Sequence, residues 1–200
     1  MAKQKYILII FTLVFPGILV TGQSQEIDAQ DREYKIKAAF LYNFIKFVDW
    51  PEEKVKNEKG AMVIGIIGKN TFGDAFEPVK DKDVKGQKAE IKHFKSFSEY
   101  KYNETELKKI KDDIKNCHLI FICSSEKEYL IDIINIVKDS NVLTVGETKD
   151  FLKADGIINF ILEENKVRFE INLIASKESK LTIRSQLLRL AKRVIEEKSI

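Results

Sequence analysis

The chain has 200 residues, with 34 Lys+Arg against 31 Asp+Glu, a formal charge of +3 and 44% hydrophobic residues. That apolar content excludes a disordered chain, and three prolines with nine glycines exclude a fibrous one. The small net charge argues against a protein that coats nucleic acid, and two cysteines cannot staple a disulfide scaffold.

The first segment carries Lys3 and Lys5, then an apolar run from Tyr6 to Val20 broken only by Thr12 and Gly17, then small residues at Thr21, Gly22 and Ser24. This is the layout of a secretory signal peptide. The run of about 15 residues falls short of the roughly 20 needed to span a bilayer. Cleavage is expected after Gly22, with a retained anchor as the alternative. No cysteine follows, which argues against a lipid anchor. Residues 1–22 hold two lysines and no acids, so their removal leaves 178 residues at +1. No later stretch has 18 uninterrupted apolar residues, so the mature chain is expected as one soluble domain over 23–200 without stable membrane insertion.

Asp28 or Asp31 can cap a helix reaching about Asp49. With Ile36 at zero and 100° per residue, Ile36, Phe47, Phe40, Phe44, Val48, Leu41 and Ile45 fill an arc of about 180°. A surface helix usually needs only about 100°. This helix is therefore covered on more than one side, by its own domain or by a second chain. Six of the twenty aromatic residues lie between Tyr34 and Trp50. Trp50-Pro51 ends the helix, because the residue before proline is pushed out of the helical region.

Met62–Ile67 is a continuous apolar run, the mark of a strand buried on both faces. A helix is expected around Phe72–Val79, a turn at Val84–Gly86 and a strand at Ala89–Phe94. Glu104–Lys115 reads as a helix and Cys117–Cys123 as a buried strand. Ser125-x-x-Glu128 matches a capping box opening a helix to about Lys138. Val142–Val145 is a further strand and Phe151–Ala154 a helical turn. Gly156–Leu162 and Lys166–Asn172 read as a hairpin. Leu181–Glu197, with Leu187, Leu188, Leu190, Ala191 and Val194, is expected to close the chain as a helix. The sum is an α/β layered sandwich: a mostly parallel sheet with a C-terminal antiparallel hairpin and flanking helices.

Catalytic constellations are not evident. Of the two histidines, His118 lies beside Cys117 on a strand, where neighbours point to opposite faces. No G-x-S-x-G, H-E-x-x-H or S-x-x-K set occurs, so no catalytic, cofactor or metal residues are assigned. Cys117 and Cys123 share a strand face roughly 20 Å apart, beyond the about 7 Å a disulfide tolerates. They read as buried thiols, with an intermolecular disulfide as the alternative. The basic residues Lys177, Lys180, Arg184, Arg189, Lys192 and Arg193 read as a solvated helix face.

Three strands end in small polar turns: Gly68-Lys69-Asn70-Thr71, Ser124-Ser125 and Gly146-Glu147-Thr148. Parallel strands gather such turns at one sheet edge, where open α/β sheets bind ligands and helix N-termini favour anions. Gly68, Lys69, Asn70, Thr71, Ser124, Ser125, Gly146 and Glu147 are thus candidate ligand contacts. The alternative is that Asn70 or Thr71, Ser125 and Thr148 are ordinary N-caps. Phe40, Phe44, Phe47 and Trp50 are candidate partner or dimer contacts, or core.

KAAFLYNFIKFVDWP (Lys37–Pro51) resembles the opening helix of the YfiR family of bacterial periplasmic proteins. The resemblance continues through Ile64–Phe76, Lys85–Phe94, Cys117–Glu126, Val142–Asn172 and Leu181–Lys192. It implies an α/β domain, often dimeric and non-enzymatic, that represses by binding the periplasmic part of an inner-membrane diguanylate cyclase, with cyclic di-GMP and biofilm as the output. Related domains are attached to membrane sensor kinases, so a histidine kinase is the other partner it implies. Some better-known members have further cysteines in internal disulfides. With only Cys117 and Cys123, redox control of that kind is not expected here. The alternative to the regulator reading is a periplasmic small-ligand sensor using the strand-end turns.

Overall fold

The computed structural model describes residues 22–56, 60–69, 72–80, 82–100 and 102–197. Nearly all of the expected signal segment lies outside these residues, as do Asn70 and Thr71. Helix α1 (Gly22–Phe47) ends two residues earlier than its pattern predicts. Val48–Asp49 is instead a short strand, β1, followed by α2 (Glu52–Lys56). Then come β2 (Ala61–Ile67), β3 (Asp83–Val84), β4 (Gln87–Phe94), α3 (Phe97–Tyr100), α4 (Glu104–Lys115) and β5 (Leu119–Ile122). A 3-10 turn at Ser124–Glu126 leads to α5 (Leu130–Val137), β6 (Leu143–Gly146), β7 (Ile158–Glu163) and β8 (Lys166–Asn172). The chain ends with α6 (Leu173–Glu178), β9 (Thr182–Ile183), α7 (Ser185–Leu188) and β10 (Arg193–Ile195).

Among the described residues, eight strands form one mixed sheet in the order β10-β8-β7-β6-β5-β2-β4-β3. Strands β4, β2, β5, β6 and β7 run parallel, and β7–β8 is the expected antiparallel hairpin. Its turn residues Glu164 and Asn165 both have positive φ, 49° and 59°. That geometry matches the right-handed twist of the flanking strands. Lys85-Gly86 makes the same kind of turn between β3 and β4, with φ of 55° and 82°.

The sheet is covered on both faces, which explains the continuous apolar strands. On β5, Leu119 and Phe121 point into one core and Ile120 and Ile122 into the other. The first core is roofed by α1 through Ala38, Leu41, Phe44 and Ile45, followed by Val48 of β1. The second is roofed by Ile110 and Ile114 of α4 and by Leu130, Ile133, Ile134 and Val137 of α5. The wide apolar arc of α1 is thus covered mainly by its own sheet.

Four expectations fail locally. Asp28 and Asp31 lie inside α1, which begins at Gly22, so neither caps it. Phe72–Val79 forms a succession of turns rather than a helix, with Gly73 at φ 50°. Its apolar side chains still reach the core: Phe72 meets Tyr34, Phe76 and Phe121 at ring-centroid distances of 5.0, 4.8 and 5.1 Å. Ser125 does not cap α5. Its hydroxyl donates to Glu126 instead, and α5 begins after Tyr129. The closing helix is reduced to the four residues of α7: β9 pairs antiparallel with β1, and β10 adds in parallel to β8. Three of the basic residues there, Arg184, Lys192 and Arg193, pair individually with acids. Arg193 makes a two-pronged contact with Glu170, and Lys192 lies 2.8 Å from Glu163.

Arg184 clamps Asp49 through two bonds of 2.9 and 2.8 Å, and Lys85 Nζ lies 2.8 Å from the same carboxylate. Chiefly through the Arg184 bonds, and helped by Lys85, the Asp49 carboxyl is held down to about 2, against the opposing effect of burial. A lowered carboxylate pKa contributes stability above its unfolded value of 3.8, lost as pH falls toward about 2. Asp49→Asn should therefore flatten the acid limb of the stability curve between those values in urea titrations. The change should be modest, because the half-exposed pair is screened by solvent.

Candidate functional site

The parallel strands bring the three expected turns to one edge. Lys69 N donates to Ser125 Oγ at 3.0 Å, joining the turn after β2 to the turn after β5. Ser124 N donates to Glu147 Oε1 at 3.0 Å, joining the latter to the turn after β6. Gly68 sits at φ 106°, and a Cβ there would stand 2.5 Å from Ser125 Oγ and 2.7 Å from Glu126 Oε1. Glycine is required by both conformation and space. Gly146 is constrained by space alone, since a Cβ would lie 2.2 Å from the ring of buried Phe151.

Two carboxylates occupy the positions where an anion would be expected. Glu147 accepts from Tyr34 Oη at 3.2 Å, from Lys37 Nζ at 2.7 Å and from Ser124 N. Glu126 is fully buried and accepts from Ser96 Oγ, Phe97 N and Ser125 Oγ at 3.1, 2.9 and 3.0 Å. Of the backbone donors here, Ser124 N is thus taken up by Glu147 and Phe97 N by Glu126, while Lys69 N goes to the Ser125 hydroxyl. Cys123, between Glu126 and Glu147, is pushed up to about 12 by burial first and by those two charges next. Cys117 is buried as well, and both thiols are free. Neither lies at the surface where an intermolecular disulfide would form.

Tyr34, Lys37 and Glu33 of α1 complete the site, and the sequence reading missed them. Lys37 is only 5% exposed and is held by both Glu147 and Glu33. Burial alone would lower its pKa, but the charge and hydrogen bond of Glu147 and the bond to Glu33 together raise it. The signal was present: at 100° per residue Lys37 falls at 100°, between Phe44 and Val48 in the middle of the apolar arc. Such a cation must find a partner inside. These residues, with Ser124, Phe160, Ile161 and Leu162, line a pocket of about 240 Å³. Its three charged side chains carry one net negative charge.

The candidate contact residues of α1 divide. Phe44 has no exposed surface, stacking on Phe160 at 5.6 Å and meeting Phe169 edge-on at 5.1 Å. Trp50 is 8% exposed, and its Nε1 donates to the His118 carbonyl at 3.2 Å. Phe47 is half-buried against the first core. Phe40 is half-buried too, and with Ile36, Leu162 and Val167 it lines an apolar groove of about 670 Å³ between α1 and the β7–β8 hairpin. Ile36 and Leu162 are exposed at 38% and 58%. The groove meets the smaller pocket at Glu33 and Leu162.

No helix among the described residues is long and apolar enough to cross a membrane. Those residues also hold no group of three or more His, Cys, Asp or Glu placed to bind a metal. Two solved structures are similar to this chain. The ABC domain from Streptococcus pneumoniae, in complex with L-Trp, is 13% identical with a TM-score of 0.53, over 77% of this chain and 60% of that one. A conserved domain protein from Vibrio cholerae O1 biovar eltor is 11% identical with a TM-score of 0.47, over 72% of this chain and 60% of that one. The chain thus spans about three fifths of each of these structures. No curated protein matches it. A family model does, over residues 34–192, which takes in α1 from Tyr34, all of the sheet up to the start of β10, and the strand-end site; the chain belongs to the YfiR/HmsC-like family.

Proposed function

We propose that this chain is an exported, non-catalytic regulator that binds the periplasmic part of an inner-membrane sensor, a diguanylate cyclase or a histidine kinase. Family membership carries this reading, since it supports a periplasmic, regulator-type role in general. Residues 1–22 would serve as the export signal and residues 23–200 as the regulatory domain, acting as a homodimer. The groove beside α1 is the contact surface the geometry favours. It pairs exposed Ile36 and Leu162 with half-buried Phe40 in a concave apolar strip, the kind of surface that marks interaction sites. Leu162→Glu should weaken capture of the membrane partner at least about tenfold while thermal unfolding stays within a degree or two of wild type. Undiminished capture by that variant would remove the groove from the interface.

The second reading is a small-ligand sensor at the strand-end turns, favoured by the pocket beneath Tyr34 and Lys37. Its net negative lining suits an amine-bearing ligand better than an anion. Such a ligand could tune partner binding, so the two readings are compatible.

A further inference from the structure

Strand β4 is open along part of one side. It pairs with β2 from Lys88 to Phe94, but on its other side β3 covers only Gln87 and Lys88. In an extended strand, N–H and C=O groups of alternate residues point to alternate sides. Ala89 N points outward and donates to Lys82 O, whereas Phe94 O points inward and accepts from Gly68 N. Ile91 and His93 share the outward side with Ala89. Their backbone groups meet no strand among the described residues.

Exposed edges are ready templates for another strand. We infer that the free edge of β4 at Ile91–His93 binds an extended acidic strand of another protein by β-augmentation. Charge selects that occupant. Residues 80–95 contain six lysines, Lys80, Lys82, Lys85, Lys88, Lys92 and Lys95, against three acids, Asp81, Asp83 and Glu90. Lys80, Lys85 and Lys95 pair with Glu77, Asp49 and Glu99, and Lys92 Nζ lies 3.9 Å from Glu90, so at the edge itself Lys88 and the loosely held Lys92 supply the positive charge. Lys82, Lys88, Lys92 and Lys95 are exposed. Beside the edge, Phe76, Ala89 and Ile91 help to line a cavity of about 490 Å³. A strand alternating apolar and acidic residues would place apolar side chains over this cavity and carboxylates against Lys88 and Lys92.

A second copy of the chain fits poorly. The antiparallel register that uses all the free groups pairs Ile91 with His93 and sets Lys92 opposite Lys92, which is destabilising. Sliding to put Glu90 opposite Lys92 brings His93 onto Ala89, whose N–H is already taken by Lys82. The register centred on His93 faces Ile91 with Lys95, whose N–H donates to the Tyr100 hydroxyl.

The test is amide hydrogen exchange on the whole protein with a capped eight-residue peptide of alternating Val and Glu. Exchange at the Ile91 and His93 amides should slow at least about tenfold, saturably, while a Val–Lys peptide has little effect. Lys92→Glu should weaken the Val–Glu peptide and strengthen the Val–Lys one. Ile91→Pro removes an outward N–H that β2 does not use, and should abolish binding with the β2–β4 amides still protected. Three results would overturn the proposal: no slowing at millimolar peptide, equal binding of both peptides, or slowing without peptide that grows with protein concentration. The last would assign the edge to a second copy.

Discussion

Replacing Phe44 with alanine should lower the free energy of unfolding by about 3–5 kcal/mol. The ring has no exposed surface and lies between Phe160 and Phe169, with Phe40 stacked at 5.9 Å. Its removal would leave a cavity where α1 meets the hairpin, and neighbouring rings can collapse into it only in part. Against a typical total stability of about 5–15 kcal/mol, that loss is a large fraction. Leu162→Ala, at 58% exposure, should change stability by no more than about 0.5 kcal/mol. Urea unfolding of the two variants side by side separates the buried from the exposed side of the helix–hairpin contact. A Phe44→Ala protein as stable as wild type would contradict the packing.

The second large effect belongs to Glu147. Glu147→Ala strands Lys37 at 5% exposure with Glu33 as its one remaining carboxylate, and also frees the Ser124 N–H. Breaking a buried pair from one side typically costs about 3–5 kcal/mol. Replacing both partners with apolar residues, Lys37→Met with Glu147→Leu, should restore most of it, because neither charge is then left unpaired. The pair also predicts an alkaline limb. A lysine whose folded pKa is raised contributes stability fully present below its unfolded value of 10.5, lost as pH rises through the higher folded value. The double variant should lack that limb in denaturant titrations at high pH. If Glu147→Ala were neutral, the network would be decoration rather than the attachment of α1 to the strand ends.

The parts of the fold that were legible in sequence are those where local pattern and tertiary need agree. Met62–Ile67 and, apart from Thr144, Val142–Val145 are apolar runs because helices cover both faces of their strands. Glu164-Asn165 reads as a turn because hairpin twist demands positive φ there. The C-terminal segment shows the opposite case. Leu187, Leu188, Leu190 and Ala191 suggest helical spacing, but β-branched Thr182-Ile183 and Val194-Ile195 flank them. Each flank lies beside a strand with backbone groups to satisfy, β1 for the first and β8 for the second. Pairing with those strands wins over local helix preference. Phe72–Val79 fails for a related reason: its apolar residues are needed in the core, yet Gly73 sits at φ 50°, outside the helical region.

At the site, the sequence identified the strand-end turns because parallel topology dictates where they gather. Which charges would meet there depended on the placement of α1 over the sheet, and that is a long-range fact. Tyr34 and Lys37 reach Glu147 across more than 100 residues of chain. Glu126 read only as part of a helix start, yet it satisfies the turn before α3 through Ser96 and Phe97. The consequence for function is a change of sign. An edge expected to attract anions through free backbone donors is instead filled by the protein's own carboxylates, which moves attention to the apolar groove beside it.

The central claim, a regulator that engages a membrane sensor through the α1–hairpin groove, is tested most directly by site-specific photo-cross-linking in the native envelope. A cross-linking residue at Leu162 or Ile36 should capture an inner-membrane sensor protein, whereas one at Tyr102, 91% exposed and remote from the groove in sequence, should not. Recovery of soluble self-complexes alone, or equal capture from Tyr102, would contradict it.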